Sequence, residues 1–493
     1  MTRIAATSGG LAVLLISTSL QAQDAIVARR IAHIEKELLG PVQISGMAFE
    51  THTLAERMAE MHIPGISIAV MHKGRIDWAK GYGVASVGGA AVAPETRFQA
   101  GSISKPVAAL AALRLVEQGK LSLDADINDS LKSWKLPPGE GANTKPVTLR
   151  ELLTHTGGTT VHGFPGYAAG DDVPTLVQVL NGEKPANTAP IRIEAPPAEK
   201  WNYSGGGYTI MQQAMIDASG EDFPTLLEHS VLAPMGMTHS TYHQPLPDQF
   251  RAVAAAPNND KGEPIKGGAH TYPEMAAAGL WTTPSDILLF AREIQTSLNG
   301  KSNHVISAKM ARAMVTSGLG GWGLGLKIDG SPDNPRFGHG GDNVGFHGLF
   351  FAYEKDGEGA VVMTNGDQGP RLVPEIMRTI AMEYKWPDDR VLLRKAVKID
   401  PAILPRYAGT YAWMPKFDMK ITLENGRLLL QTVDSEPVAR PAHFPQSPLY
   451  AEADKKFFLL DSPAEIEIVT NTAGQTEYLL VHEGGQSRKI MRK

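Results

Sequence analysis

Ser102 and Lys105 stand three residues apart in Gly101-Ser102-Ile103-Ser104-Lys105-Pro106. An apolar run at helical spacing follows (Val107, Leu110, Leu113, Leu115), with Gly119 as a C-terminal stop. Residues i and i+3 share a helix face, so this spacing predicts that the hydroxyl and the amine project together. An alcohol becomes an efficient nucleophile only when a nearby base takes its proton, and a lysine deprived of water can be that base. A helix N-terminus adds free backbone N–H groups that favour an oxyanion, but its partial charge contributes only about 0.3–1 kcal/mol. Further polar partners must therefore come from elsewhere in the chain. Alone, the same residues also read as a helix cap and a solvated first-turn lysine.

Two other stretches offer such partners. Trp201-Asn202-Tyr203-Ser204-Gly205-Gly206-Gly207-Tyr208 places a tyrosine in a Gly-rich loop ahead of a helical run from Ile210 to Ala218. Phe337-Gly338-His339-Gly340-Gly341-Asp342 reads as a short strand whose glycines let backbone approach a ligand closely. Singly, Tyr203 also reads as a loop aromatic over the core and His339 as a strand-edge histidine. In the order Ser-x-x-Lys, Tyr203-Ser204-Gly205, His339-Gly340-Gly341, they resemble the class C β-lactamase and penicillin-binding-protein-like serine hydrolases. Supporting similarity lies in Thr148-Leu149-Arg150-Glu151-Leu152-Leu153-Thr154-His155-Thr156-Gly157-Gly158, in Pro234 to Thr238, in Ala278 to Asp286 and in Val361 to Asn365. The resemblance covers roughly Ala48 to Trp386.

That resemblance implies a division of labour. Ser102 is the expected nucleophile and Lys105 its proton partner. Tyr203 is the expected proton relay, base in acylation and acid toward the leaving group. A tyrosine with a pKa near 10 is a poor base at neutral pH, so lysine and histidine neighbours are expected to favour its phenolate. His339 takes the first position of the family's Lys-Thr-Gly strand. The backbone N–H groups of Ser102 and Asp342 form the expected oxyanion hole, and Gly205, Gly340 and Gly341 are expected to border the substrate. One departure stands out: the family's Tyr-x-Asn is Tyr203-Ser204-Gly205, so the amide that contacts lysine and substrate is missing. Acyl transfer survives that change, but turnover of β-lactams or peptidoglycan is less expected. Esterase-like activity through an acyl-Ser102 intermediate is the first expectation. A D-amino-acid peptidase, a D-alanyl-D-alanine carboxypeptidase or β-lactamase, and a catalytically weak peptide binder are the alternatives.

Other patterns carry less. His239 and His243 are four residues apart but lack the Glu of His-Glu-x-x-His. Asp124-Ala125-Asp126 opens like a calcium loop, yet Asp129 and Lys135 occupy the positions that need glycine and glutamate. No Gly-x-Ser-x-Gly elbow or Walker loop occurs, and Gly318 to Gly323 spells Gly-x-Gly-x-x-Gly ahead of a strand, the wrong context for a nucleotide. No metal or organic cofactor is required. With 20% charged residues, 42% hydrophobic ones and a net charge of −5, the chain has no basic field for nucleic acid. The expected partner is a small ester, amide or peptide.

Arg3, the apolar stretch Leu11 to Leu20 and Gln21-Ala22-Gln23 read as a secretory signal, implying a periplasmic or secreted protein. Without cysteine, export involves no disulfide. The expected organisation is a signal peptide over 1–22, a hydrolase domain over 23–387, a linker over 388–401 and a small β domain over 402–493. The expected fold is α+β and serine β-lactamase-like: an antiparallel sheet flanked by helices, plus an all-helical lobe inserted between strands from both ends. An all-β barrel-like domain follows, in which Asn425-Gly426 signals a hairpin. Arg406-Tyr407-Ala408-Gly409-Thr410-Tyr411 resembles the opening of the lipocalin-like module that some of these hydrolases carry. Its expected role is stabilisation or oligomer contact, and a loop such as Pro441 to Ser447 offers a possible gate.

Overall fold

A computed structural model of the chain describes residues 9–139, 145–302, 304–434 and 446–493. The gate stretch from Pro441 lies outside them as far as residue 445. So does Arg3 of the leader, while the stretch from Leu11 falls within a helix Gly9–Lys36. Among the described residues no helix is long and apolar enough to cross a membrane. Backbone proximity groups the chain into two compact units: Ala55–Met377 with the chain up to Ala32, and His33–Leu54 with Arg378–Lys493.

The first unit is built on a six-stranded antiparallel sheet. Its strands are β1 (Gly65–His72), β2 (Arg75–Gly83), β3 (Lys327–Ser331), β4 (Asn334–Asn343), β5 (Phe346–Tyr353) and β6 (Gly359–Thr364), in the spatial order β2-β1-β6-β5-β4-β3. β6 pairs with β1 from Gly359↔Met71 to Thr364↔Ile66, so distant pieces of chain complete one sheet, as the strand pattern predicted. Only the last part of the strand expected over Gly323 to Ile328 forms. Gly323 N–H turns back onto the Leu326 carbonyl at 2.8 Å instead.

The helices nearest the Ser102 segment lie between β2 and β3, while helix Gly369–Glu383 follows β6. Helix α1 (Ser104–Glu117) is preceded by a single tight turn, Gly101–Ile103. Every residue from Ser104 to Leu113 is buried, so α1 is a core helix. Its alanines allow close packing, while Leu110 and Leu113 supply burial worth about 1.5–3 kcal/mol each. Around it stand α2 (Leu149–Leu153), α3 (Gly205–Ser219) and the short α4 (Met275–Ala278). Thr148 and Glu151 close a capping box on α2. Helix α5 (Pro284–Leu298) packs on β1, β5 and β6, with Phe290 edge-on to Phe350 at 5.9 Å.

The second unit holds a nine-stranded, nearly closed antiparallel sheet running from Gly409 to Arg492. Its two outermost strands, Ser447–Pro448 and Tyr450–Ala453, adjoin in sequence. Tyr411, Phe457, Ile468 and Leu479 fill its core. Asn425 and Gly426 both take positive φ (49° and 76°), forming the predicted hairpin between Glu424 and Arg427. Within the stretch read as a linker, Leu392–Arg394 pairs in parallel with Val42–Ile44.

Candidate active site

The turn that carries Ser102 is fastened from three sides. Ser104 Oγ donates to the Gly101 carbonyl at 2.6 Å and accepts from Leu280 N–H at 2.9 Å. Tyr242 Oη donates to the Ser104 carbonyl at 2.6 Å. Lys105, buried one turn on, directs Nζ to Ser102 Oγ at 2.9 Å and to the Ala277 carbonyl of α4 at 2.8 Å. The hydroxyl and the amine therefore meet as the i, i+3 spacing required. Burial pulls the Lys105 ammonium down to about 7, against the opposing pull of the Asp342 carboxylate.

Tyr203 closes the cluster from a loop 98 residues from Lys105 in sequence. Its phenol shares a hydrogen bond with the Ser102 hydroxyl, and its ring lies 5.0 Å from Lys105 Nζ. Ser204 caps α3, accepting Gly207 N–H at 3.0 Å, and so fixes where the loop ends. Burial raises the Tyr203 pKa well above that of an ordinary phenol; the Ser102 hydrogen bond opposes this, and Asp342 adds to it. Burial thus disfavours the expected phenolate, and the neighbouring histidine lends no charge: burial, then Lys105, holds His339 down to about 3. Of the two candidate bases, the lysine is poised near neutrality and the phenol remains a proton donor.

Strand β4 brings His339, Gly340, Gly341 and Asp342 alongside. His339 is buried, its Nδ1 2.5 Å from the Gly340 carbonyl, its ring 6.2 Å from Tyr203. A Cβ at Gly341 would lie 1.9 Å from the Ala100 carbonyl, and one at Gly101 would lie 2.5 Å from Asp342 N. Those glycines let the strand press against the Ser102 turn, and Gly101 also takes a φ of +50°. The side chain of Asp342 faces outward and accepts from His347 Nδ1 at 2.6 Å.

Gly205 opens α3 just after Tyr203, and the missing amide has a structural counterpart. A Cβ there would lie 2.8 Å from the Phe164 ring, so an aromatic edge fills the place where an asparagine side chain would begin. Sequence reading did not single out Phe164, the Ala277 carbonyl, Trp322 or His155. Trp322 stacks on Trp201 at 5.8 Å and stands 5.8 Å from Tyr203. The ring of His155 lies 4.2 Å from that of Tyr203. The residue's only signal was its place in the Thr-His-Thr-Gly-Gly stretch. The demoted ion patterns are otherwise engaged: Asp124 pairs with Arg150 at 2.6 Å, and Asp126 caps a helical turn through Asn128 N–H at 2.9 Å.

The Beta-lactamase family model matches residues 51–381. This chain belongs to the Beta-lactamase family. It is similar to penicillin-binding protein 4 of Amycolatopsis lactamdurans, 25% identical over 376 residues, covering 71% of this chain and 94% of that one. Protein flp of Staphylococcus aureus (strain MRSA252) is 23% identical over 344 residues, covering 66% of this chain and 64% of flp, so the match spans less than two thirds of that relative. Among solved structures, the octameric penicillin-binding protein homologue from Pyrococcus abyssi is 22% identical. It superposes with a TM-score of 0.60 over 89% of this chain and 98% of its own, a likeness of fold. The Ser-x-x-Lys pair of this β-lactamase-family serine hydrolase, Ser102 and Lys105, lies within the matched region.

Proposed function

We propose that this hydrolase cleaves neutral or cationic esters of small acyl groups through an acyl-Ser102 intermediate. The Lys105 amine takes the Ser102 proton as Oγ attacks the carbonyl carbon. Backbone N–H groups of Ser102 and Asp342 receive the oxyanion, a contribution of about 10²–10³ in rate per donor. The C–O bond to the leaving alcohol then breaks, with Tyr203 supplying the proton and Lys105 restoring it. Water attacks the ester in the second half-reaction, and Ser102 leaves with its proton returned.

The observation that carries this reading is the 2.9 Å contact between Lys105 Nζ and Ser102 Oγ, with the amine titrating near neutrality. Charge argues for the substrate class. Lys105 is engaged by Ser102 and Ala277, His339 is neutral, and the outward-facing charge beside the cluster is the Asp342 carboxylate. A substrate carboxylate would meet a like charge at Asp342. A fluorophosphonate probe is expected to label Ser102, with labelling and ester hydrolysis both lost in Ser102→Ala; full hydrolysis by that variant would remove the proposal, and an unlabelled wild type would favour the peptide binder. Assays with a chromogenic ester, a D-Ala-D-Ala peptide and a cephalosporin are expected to rank in that order. The second reading, D-peptide or β-lactam turnover, rests on the similarity to penicillin-binding protein 4, and a reversed ranking would establish it. We place this activity outside the cytoplasm on the Arg3 and Leu11 to Leu20 pattern, which N-terminal sequencing of the mature protein tests.

A further inference from the structure

We propose that His155 is a positioning residue that holds Tyr203 at the nucleophile. The proposal rests on the Ser102 reading above. It starts from how one residue grips the backbone on both sides of the tyrosine. The His155 carbonyl accepts Asn202 N–H at 2.8 Å, and its ring Nδ1 accepts Ser204 N–H at 3.1 Å. Between those anchors the imidazole lies against the Tyr203 ring, with centroids 4.2 Å apart and planes inclined by 33°. Two further rings pack against the imidazole: Tyr208 lies 5.3 Å away and Trp322 meets the ring edge-on at 4.8 Å.

His155 itself has little freedom. It lies two residues beyond α2, takes a left-handed φ of 57°, and is buried. An Nδ1 that accepts a hydrogen bond requires a neutral ring protonated at Nε2. Burial, with Lys105 and His339 close by, holds the pKa well below that of a free histidine and keeps the acceptor available. Tyr203 reaches Ser102 from a loop, where a backbone shift of about 1 Å can cost on the order of 10²-fold in rate. His155 supplies the constraint such a loop lacks.

Two variants divide its contributions. His155→Phe keeps a ring and loses the acceptor, whereas His155→Asn keeps an acceptor near Nδ1 and loses the ring. In His155→Phe we expect kcat for a p-nitrophenyl ester to fall about 10–100-fold with KM within about twofold, the pattern of a lost transition-state contact. Combined with Tyr203→Phe, the loss should not multiply, because His155 acts through the placement of the Tyr203 hydroxyl, which that second change already removes. Amide exchange at Ser204 should quicken about tenfold in His155→Phe, and this readout is independent of catalysis. A folded His155→Phe with unchanged kcat, or losses that multiply with Tyr203→Phe, would overturn the proposal. If His155→Phe does not fold, the same two criteria apply to His155→Leu, which also lacks the acceptor. Failure of the Ser102 reading looks different: Ser102→Ala and Tyr203→Phe would then both stay active, whatever the exchange at Ser204.

Discussion

At Lys105, burial turns an ordinary ammonium into a group that loses its proton near neutrality. Its free amine predominates above a pH of about 7, so acylation should climb with pH through that value and level off above it. Stopped-flow acylation rates measured across the range test this, and a flat profile would reassign the base. Lys105→Arg should lose about 10²–10⁴-fold in kcat/KM, since a guanidinium keeps its proton. At this scale the sequence was partly legible. The Ser102–Lys105 geometry follows from local helix periodicity, and so survives without any tertiary knowledge. His155 accepts a hydrogen bond from a residue 49 positions away, and no local rule couples the two.

Strand β4 shows what an element adds to its residues. Its glycines were readable as a close approach, but their partner was not: it is the Ala100–Ser102 turn, more than two hundred residues earlier. Gly341→Ala should push strand and turn apart, because its Cβ begins 1.9 Å from a backbone carbonyl that has no rotamer to yield. If the Ser102 and Asp342 amides receive the oxyanion, their separation should lower kcat about 10²–10³-fold with a small change in KM. Steady-state kinetics beside a circular dichroism melt distinguish that from unfolding. A folded Gly341→Ala with wild-type kcat would remove the oxyanion assignment. The Gly205-Gly206-Gly207 start of α3 follows the same logic. A Cβ on Gly206 would meet the Thr160 carbonyl at 2.4 Å, so these glycines serve packing.

Across the whole molecule, buried titratable groups set opposing pH slopes. Glu274, at the start of α4, is fully buried, and neither carboxyl oxygen has a hydrogen-bond partner among the described residues. Burial pushes its pKa up to about 8, from 4.5 in the unfolded chain. The native state therefore holds a proton that the unfolded state releases. Its stabilising share is complete below 4.5 and fades as pH rises through about 8. Lys105 acts in the other direction between about 7 and 10.5, where the unfolded chain holds the extra proton. Urea midpoints at pH 5 and pH 8 should differ less in Glu274→Gln than in the wild type. An unchanged difference would mean that Glu274 is ionised in the native protein.

The order of motifs, the strands at both ends of the first unit and the Asn425-Gly426 hairpin were determined by sequence, because each depends on neighbours a few residues apart. Tertiary structure decided the rest. The burial around Lys105, Tyr203 and His339 assigns which of them is neutral, and the Phe164 edge occupies the place of an absent amide. Ionisation depends on how much water the assembled fold leaves around a group, and no local pattern of residues records that.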